Sequence, residues 1–139
     1  MGERRLANEL AAGGGGLVHV PGRVAPQELD AMYRGADAVA YPSLYEGFGL
    51  PVLEALAYGK PTLSSMTSAI PEVADDAAVL VDPEDEDAIA AGLVRILSDD
   101  ALRAELSEKG PKRAASFSWA ATARATLDAY RAAMERVRP

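Results

Sequence analysis

Residues 42–61, Pro42-Ser-Leu-Tyr-Glu46-Gly-Phe-Gly49-Leu-Pro51-Val-Leu-Glu54-Ala-Leu-Ala-Tyr-Gly59-Lys-Pro61, hold the strongest local signals in the chain. The apolar run Asp37-Ala-Val-Ala-Tyr41 just before them reads as a strand that Pro42 stops. A loop bearing Gly47 and Gly49 follows. It enters a helix over about 50–58, with Pro51 in the first turn and Gly59 just past the end. Strand, glycine-bearing loop and helix, in that order, are the repeating unit of a parallel sheet covered by helices.

The alternation continues outward on both sides. Upstream, an amphipathic helix over about 3–12 puts Leu6 and Leu10 on one stripe, and Gly13 to Gly16 form a flexible joint. Leu17-Val-His-Val20, closed by Pro21-Gly22, reads as a strand, and Pro26 starts a helix that Gly35 ends. Downstream, Pro61 to Ser65 and Ala78 to Val81 read as strands, and helices are expected near 84–97, 99–109 and 118–137. The last of these opens on Ser118 as N-cap. The strands are nearly all apolar, as burial on both faces requires. The expected fold is therefore α/β, a Rossmann-like parallel sheet with flanking helices, in one domain over 1–139. Ligands of such sheets lie beyond the carboxyl ends of the strands. The loops 21–26, 42–50 and 65–72 are where a site is expected.

Composition removes several classes of function. Fourteen Lys and Arg against twenty-one Asp and Glu leave a net charge of −7, the wrong sign for a non-specific nucleic-acid or anionic-membrane binder. At 49% hydrophobic the chain is too apolar to be disordered, yet charges interrupt every run that approaches a membrane span. Its first residues, MGERRLANEL, are charged and helical and do not resemble a signal peptide, so the expected compartment is the cytoplasm. Without cysteine there is no disulfide, thiolate metal site or cysteine nucleophile. One histidine, His19, excludes a multi-histidine metal site. The Gly13–Gly16 run precedes its strand, so it is not a dinucleotide or Walker-type phosphate loop.

The start of the helix at Gly49-Leu50-Pro51 offers free backbone N–H groups and the positive end of a dipole, which suit a phosphate. Glu46 lies just before it and Glu54 about one turn inside it. Carboxylates beside a phosphate repel it unless they bind neutral hydroxyls. A nucleotide sugar meets that condition, with phosphates in the middle and hydroxyls at both ends.

The Glu-x7-Glu spacing within Glu46-Gly-Phe-Gly-Leu-Pro-Val-Leu-Glu54-Ala55 strongly resembles the retaining, GT-B-fold nucleotide-sugar glycosyltransferases of the family 4 type. Val20-Pro-Gly-Arg-Val24, Gly35-Ala-Asp-Ala38, Pro42-Ser43, Gly59-Lys-Pro61, Ile70-Pro-Glu-Val73 and Phe117-Ser-Trp119 follow that family's order and approximate spacing. The resemblance covers essentially the whole chain and points to the family's C-terminal, donor-binding half. It implies that Glu46 is the catalytic carboxylate meeting the donor sugar's hydroxyls and that Glu54 holds the ribose. Gly47, Phe48, Gly49 and Leu50 would line the donor site, the last two offering N–H groups to the diphosphate or sugar, and Val24 would lie near the base.

The implied reaction transfers a hexosyl group from a nucleotide diphosphate sugar to an acceptor with retention. Neither metal nor resident cofactor is implied, and no nucleic-acid partner. The family also carries upstream strands with a glycine-rich turn, an Arg and a Lys that grip the diphosphate, and an acceptor-binding domain. Nothing in residues 1–139 matches these, so a truncated donor-binding domain without the acceptor domain is expected, inactive alone. In the order 3-2-1-4-5-6, strands 17–20 and 37–41 would be the third and fourth, leaving unpaired edges for a partner chain or second copy. The alternative is a non-catalytic nucleotide-sugar-binding or regulatory module.

The remaining chemistry-bearing residues have blander readings. His19 is expected to pack at a strand end or bond a local carbonyl, and Glu72 to cap a short helix from its first turn. Arg23 and Lys60 are candidate cations for a diphosphate, though exposed loop cations usually face solvent. Trp119 and Tyr130 fit the buried stripe of the last helix, which the resemblance implies packs toward the acceptor domain, so a core or interface role is expected of them; Asp82 to Asp87 read as an acidic helix start.

Overall fold

The computed structural model describes residues 12–13 and 17–136. Their elements run α1 (Pro26–Gly35), β1 (Val39–Tyr41), α2 (Leu50–Ala57), β2 (Thr62–Ser65), α3 (Ile70–Ala74), β3 (Val79–Val81), α4 (Glu86–Ser98), α5 (Asp100–Ala115) and α6 (Trp119–Arg136). The chain divides into two compact units, one up to Met32 and one from Tyr33 onward, with the boundary inside α1. All strands belong to the second unit.

The sheet is parallel in the order β1-β2-β3. Val39 pairs with Thr62, Ala40 with Leu63 and Tyr41 with Ser64, while Leu63, Ser64 and Ser65 face Val79, Leu80 and Val81. Alternate side chains go to opposite faces. Tyr41 and Leu80 pack on a core of Val52, Leu56, Ile70, Ala74 and Ala77 from α2, α3 and the following turn. Leu63, Val79 and Val81 pack with Ile96 of α4 and Leu106 of α5. Helices thus cover both faces, as the apolar strands require. The central strand nevertheless departs from an all-apolar pattern, because Thr62, Ser64 and Ser65 are fully buried. Each hydroxyl donates to a carbonyl, Thr62 to Lys60, Ser64 to Tyr41 and Ser65 to Ser43, so burial leaves none unsatisfied.

Three expectations are corrected. Leu17 to Val20 form no strand; Leu17 is 93% exposed, and Val18, His19 and Val20 are exposed too. A short apolar run becomes a strand only with a ladder partner, and among the described residues β1 pairs with β2 alone. His19 accordingly has no strand end to pack against. The helix expected near 99–109 instead runs to Ala115 with Pro111 inside it. Proline in a helix costs about 3 kcal/mol, and tertiary contacts offset it here. Gly110 is buried against Leu56, and Arg113 Nε donates to the Val73 carbonyl at 2.9 Å while its guanidinium also reaches the Glu72 carbonyl. Finally, Trp119 and Tyr130 take no core role, being 82% and 65% exposed on a helix α6 that buries no residue, while the interface role expected of them is left untouched. The stripe is real in the sequence, but nothing among the described residues covers it.

The helix expected over 3–12 lies outside the described residues except for Ala12, which is helical. No helix among the described residues is long and apolar enough to cross a membrane.

Candidate functional site

The loop of residues 42–49 leaves the carboxyl end of β1 and enters α2, and a second loop, 66–69, leaves the carboxyl end of β2. A rail of hydroxyls joins the two. Beyond Ser64 and Ser65, Thr67 donates to the Leu44 carbonyl at 3.5 Å and Ser68 to the Glu46 carbonyl at 2.5 Å. The Ser68 hydroxyl also accepts the Glu46 N–H at 3.1 Å, so one side chain holds both main-chain groups of Glu46.

The Glu46 carboxylate is half-buried, and its Oε1 accepts from Tyr41 at 2.7 Å and from Ser43 at 2.9 Å. The bond to the carboxylate, aided by burial, raises the Tyr41 phenol above its ordinary value. The loop then turns through Gly49, whose φ of 94° lies where side chains are strained. Gly49 is buried, and an added Cβ there would land on Ile70 Cδ1. No side chain caps α2, and its ladder begins with Val52 and Leu53 donating to the Gly49 carbonyl. The N–H groups of Gly49 and Leu50 therefore precede that ladder, aimed along the positive end of the helix.

Glu54 is exposed on α2, and its Oε2 accepts from the Tyr33 hydroxyl at 3.1 Å, with the Pro51 carbonyl alongside at 3.3 Å. Tyr33 stacks on Tyr58 at 5.1 Å, and Arg34 lies over the other partner's ring at 5.3 Å. Burial, then the bond and charge of Glu54, push the Tyr33 phenol up to about 12. The folded chain therefore holds a proton that the unfolded chain releases near pH 10. The stability this adds is complete below pH 10 and is lost as pH rises through about 12. An absorbance titration should show Tyr41 ionising above the ordinary tyrosine range and Tyr33 late, near pH 12. Glu54→Gln should bring the Tyr33 ionisation part of the way back; an unchanged titration would disprove the coupling.

Glu46, Gly47, Phe48, Gly49, Leu50 and Glu54 are thus gathered on one strand–loop–helix connection, as expected. Phe48 and Leu50 are exposed, and Phe48 meets Phe117 edge-on at 5.7 Å. With Leu53 and Trp119 they line an apolar groove of about 390 Å³. Val24 is half-buried within the first unit, and Arg23 is exposed there. Lys60 is not a site cation: it precedes β2, at the sheet's opposite end, and its Nζ donates to the Arg34 carbonyl at 2.8 Å. Glu72 stands in the first turn of α3, as expected. Tyr33, Tyr41, Ser43, Ser64, Ser65, Thr67 and Ser68 were missed as supports of the site. The hydroxyl-rich run Thr62-Leu-Ser-Ser-Met-Thr-Ser68 was the available signal.

A parallel Rossmann-like sheet with its candidate site beyond the strands' carboxyl ends defines the class, and the chain's structural neighbours are GT-B glycosyltransferases. The chain belongs to the family described as glycosyl transferases group 1, whose model matches residues 2–113. It is 40% identical over 116 residues to O-antigen chain mannosyltransferase B of Escherichia coli, covering 84% of this chain and 30% of that protein. It is 38% identical over 125 residues to the MMP alpha-(1->4)-mannosyltransferase of Mycolicibacterium hassiacum, covering 87% and 30%. Sucrose-phosphate synthase from Thermosynechococcus elongatus shares the fold at a TM-score of 0.79 and 30% identity, over 96% of this chain and 35% of that one. The chain spans about three tenths of the length of the relatives it matches.

Proposed function

We propose that the chain forms the donor-binding portion of a retaining glycosyltransferase that moves a hexosyl group from a nucleotide diphosphate sugar to an acceptor. The observation that supports this most is the joint placement of two carboxylates and an uncapped helix start on one connection, Glu46 before α2, Gly49 and Leu50 at its mouth, Glu54 inside it. The helix start suits the diphosphate. Glu46 takes hydroxyls of the sugar and, as the catalytic carboxylate, faces charge developing there; Glu54 takes those of the ribose. Gly47 and Phe48 line the donor beside them, and the family resemblance assigns Val24 to the base. Relatives named as mannosyltransferases and as D-inositol 3-phosphate glycosyltransferases support a glycosyl donor of this class. The donor is a substrate, and no resident cofactor or metal is invoked. Diphosphate-gripping cations and the acceptor site come from polypeptide outside these residues, whether a further segment, a partner chain or a second copy.

The test is a chemical-shift titration of the isotope-labelled chain with UDP-, GDP- and ADP-hexoses. One base series should perturb the amides of residues 46–54 in preference to the rest. Shifts scattered over the surface with every ligand, or none at millimolar ligand, would refute donor binding.

A further inference from the structure

Glu46 is held more tightly than an exposed-loop carboxylate needs to be. Three separate side chains fix it: Tyr41 and Ser43 both donate to Oε1, and Ser68 bridges its N–H and carbonyl. Among the described residues nothing donates to Oε2. Ser68 adopts a φ of 61°, a left-handed conformation that costs a non-glycine residue about 1 kcal/mol. Such strain persists only where surrounding contacts impose it, and it gathers at functional sites. Here the contact is the pair of bonds to Glu46. The rail of Ser64, Ser65 and Thr67 behind it anchors the carbonyls of Tyr41, Ser43 and Leu44 to β2 and the loop that follows.

We infer that Tyr41 and Ser43 are positioning residues that occupy one oxygen of Glu46 and leave the other, Oε2, as the acceptor for a hydroxyl of the transferred sugar, with Ser68 fixing the main chain beneath it. This rests on the donor-binding reading above. Two donors on one oxygen restrict the carboxylate to a single rotation, so the ligand need not supply that order when it binds. An unrestrained Glu46 would point its carboxylate in many directions. The side chains involved touch Glu46 and not the nucleotide, so their effect should be confined to the sugar.

Two measurements on the full chain separate this inference from the reading it rests on. The first compares wild type with the Tyr41→Phe/Ser43→Ala double variant by titration against a nucleoside diphosphate and its hexose conjugate. Affinity for the nucleoside diphosphate should stay within about twofold. The gain contributed by the hexose should fall roughly fivefold to tenfold, the scale of a lost hydrogen bond to a charged group. An undiminished gain would overturn the inference, while absence of any binding by wild type would overturn the donor reading instead. The second needs no ligand: side-chain relaxation of Glu46 by carbon-13 NMR. In wild type Glu46 should be as ordered as the main chain, and in the double variant it should become as mobile as exposed Glu84. A Glu46 already that mobile in wild type would overturn the positioning role whatever the titration shows.

Discussion

Gly110→Val is expected to destabilise the chain by about 3 kcal/mol, the upper range for forcing extra methyl groups into a packed contact. The reason is where the glycine lies. An added Cβ on α5 would come 2.9 Å from the Leu56 carbonyl oxygen and 3.3 Å from Leu56 Cα. Those are backbone atoms of α2, so no rotamer change can make room, and the helices must separate. Leu56 is fully buried in the core that binds α2 to the sheet, so separation also loosens Val52 and Ile70. Alanine at 110 should cost less, because it recovers about 1 kcal/mol of helix propensity against glycine. Thermal unfolding followed by circular dichroism is the measurement, with Gly47→Ala as reference, since nothing lies within 4 Å of a Cβ there. A midpoint for Gly110→Val within a degree or two of wild type would show that α5 is not seated on α2 as described. The site would feel the change too, because α2 carries Glu54 and begins at Gly49.

Glu54→Ala is expected to weaken nucleotide binding roughly tenfold to hundredfold, the loss of one or two hydrogen bonds from hydroxyls to a charged acceptor. Stability should change little, because Glu54 is exposed and its partner among the described residues, Tyr33, keeps the Pro51 carbonyl nearby. Glu54→Gln should fall between the two, since the amide still accepts a hydrogen bond but without charge. The loss should appear equally with a nucleoside diphosphate and with its hexose conjugate, since the ribose is common to both. In the Tyr41→Phe/Ser43→Ala variant the loss should instead follow the sugar. Binding by Glu54→Ala at wild-type affinity would refute the ribose role. A loss confined to the hexose conjugate would assign Glu54 to the sugar end.

Much of the fold was legible because local signals and tertiary demands agreed. Asp37 to Tyr41, Pro42, the two loop glycines and Pro51 specify strand, stop, turn and helix start within fifteen residues, and β1 and α2 stand there. The order of the remaining strands and helices was equally plain from alternation. Where reading failed, the missing information lay far away in sequence. Leu17 to Val20 have strand composition but no ladder partner. Pro111 breaks a helix locally, yet α5 continues through it because Gly110 and Arg113 are held by α2 and α3. Trp119 and Tyr130 show a stripe whose burial depends on a covering surface, which periodicity does not report.

The site divides in the same way. Contiguity alone places Glu46, Gly49, Leu50 and Glu54 on one connection, because a strand–loop–helix turn leaves them no other place. What holds them in place comes from residues far away in the chain. Ser68 reaches Glu46 across 22 positions, Ser64 reaches Tyr41 across 23, and Tyr33 reaches Glu54 across 21. Hydroxyl groups carry no periodic signature, and their partners are fixed by the parallel register of β1 on β2 and by the placement of Tyr33 against α2. Lys60 fell the other way: near the motif in sequence, it lies at the opposite end of the sheet because a strand separates its two ends in space.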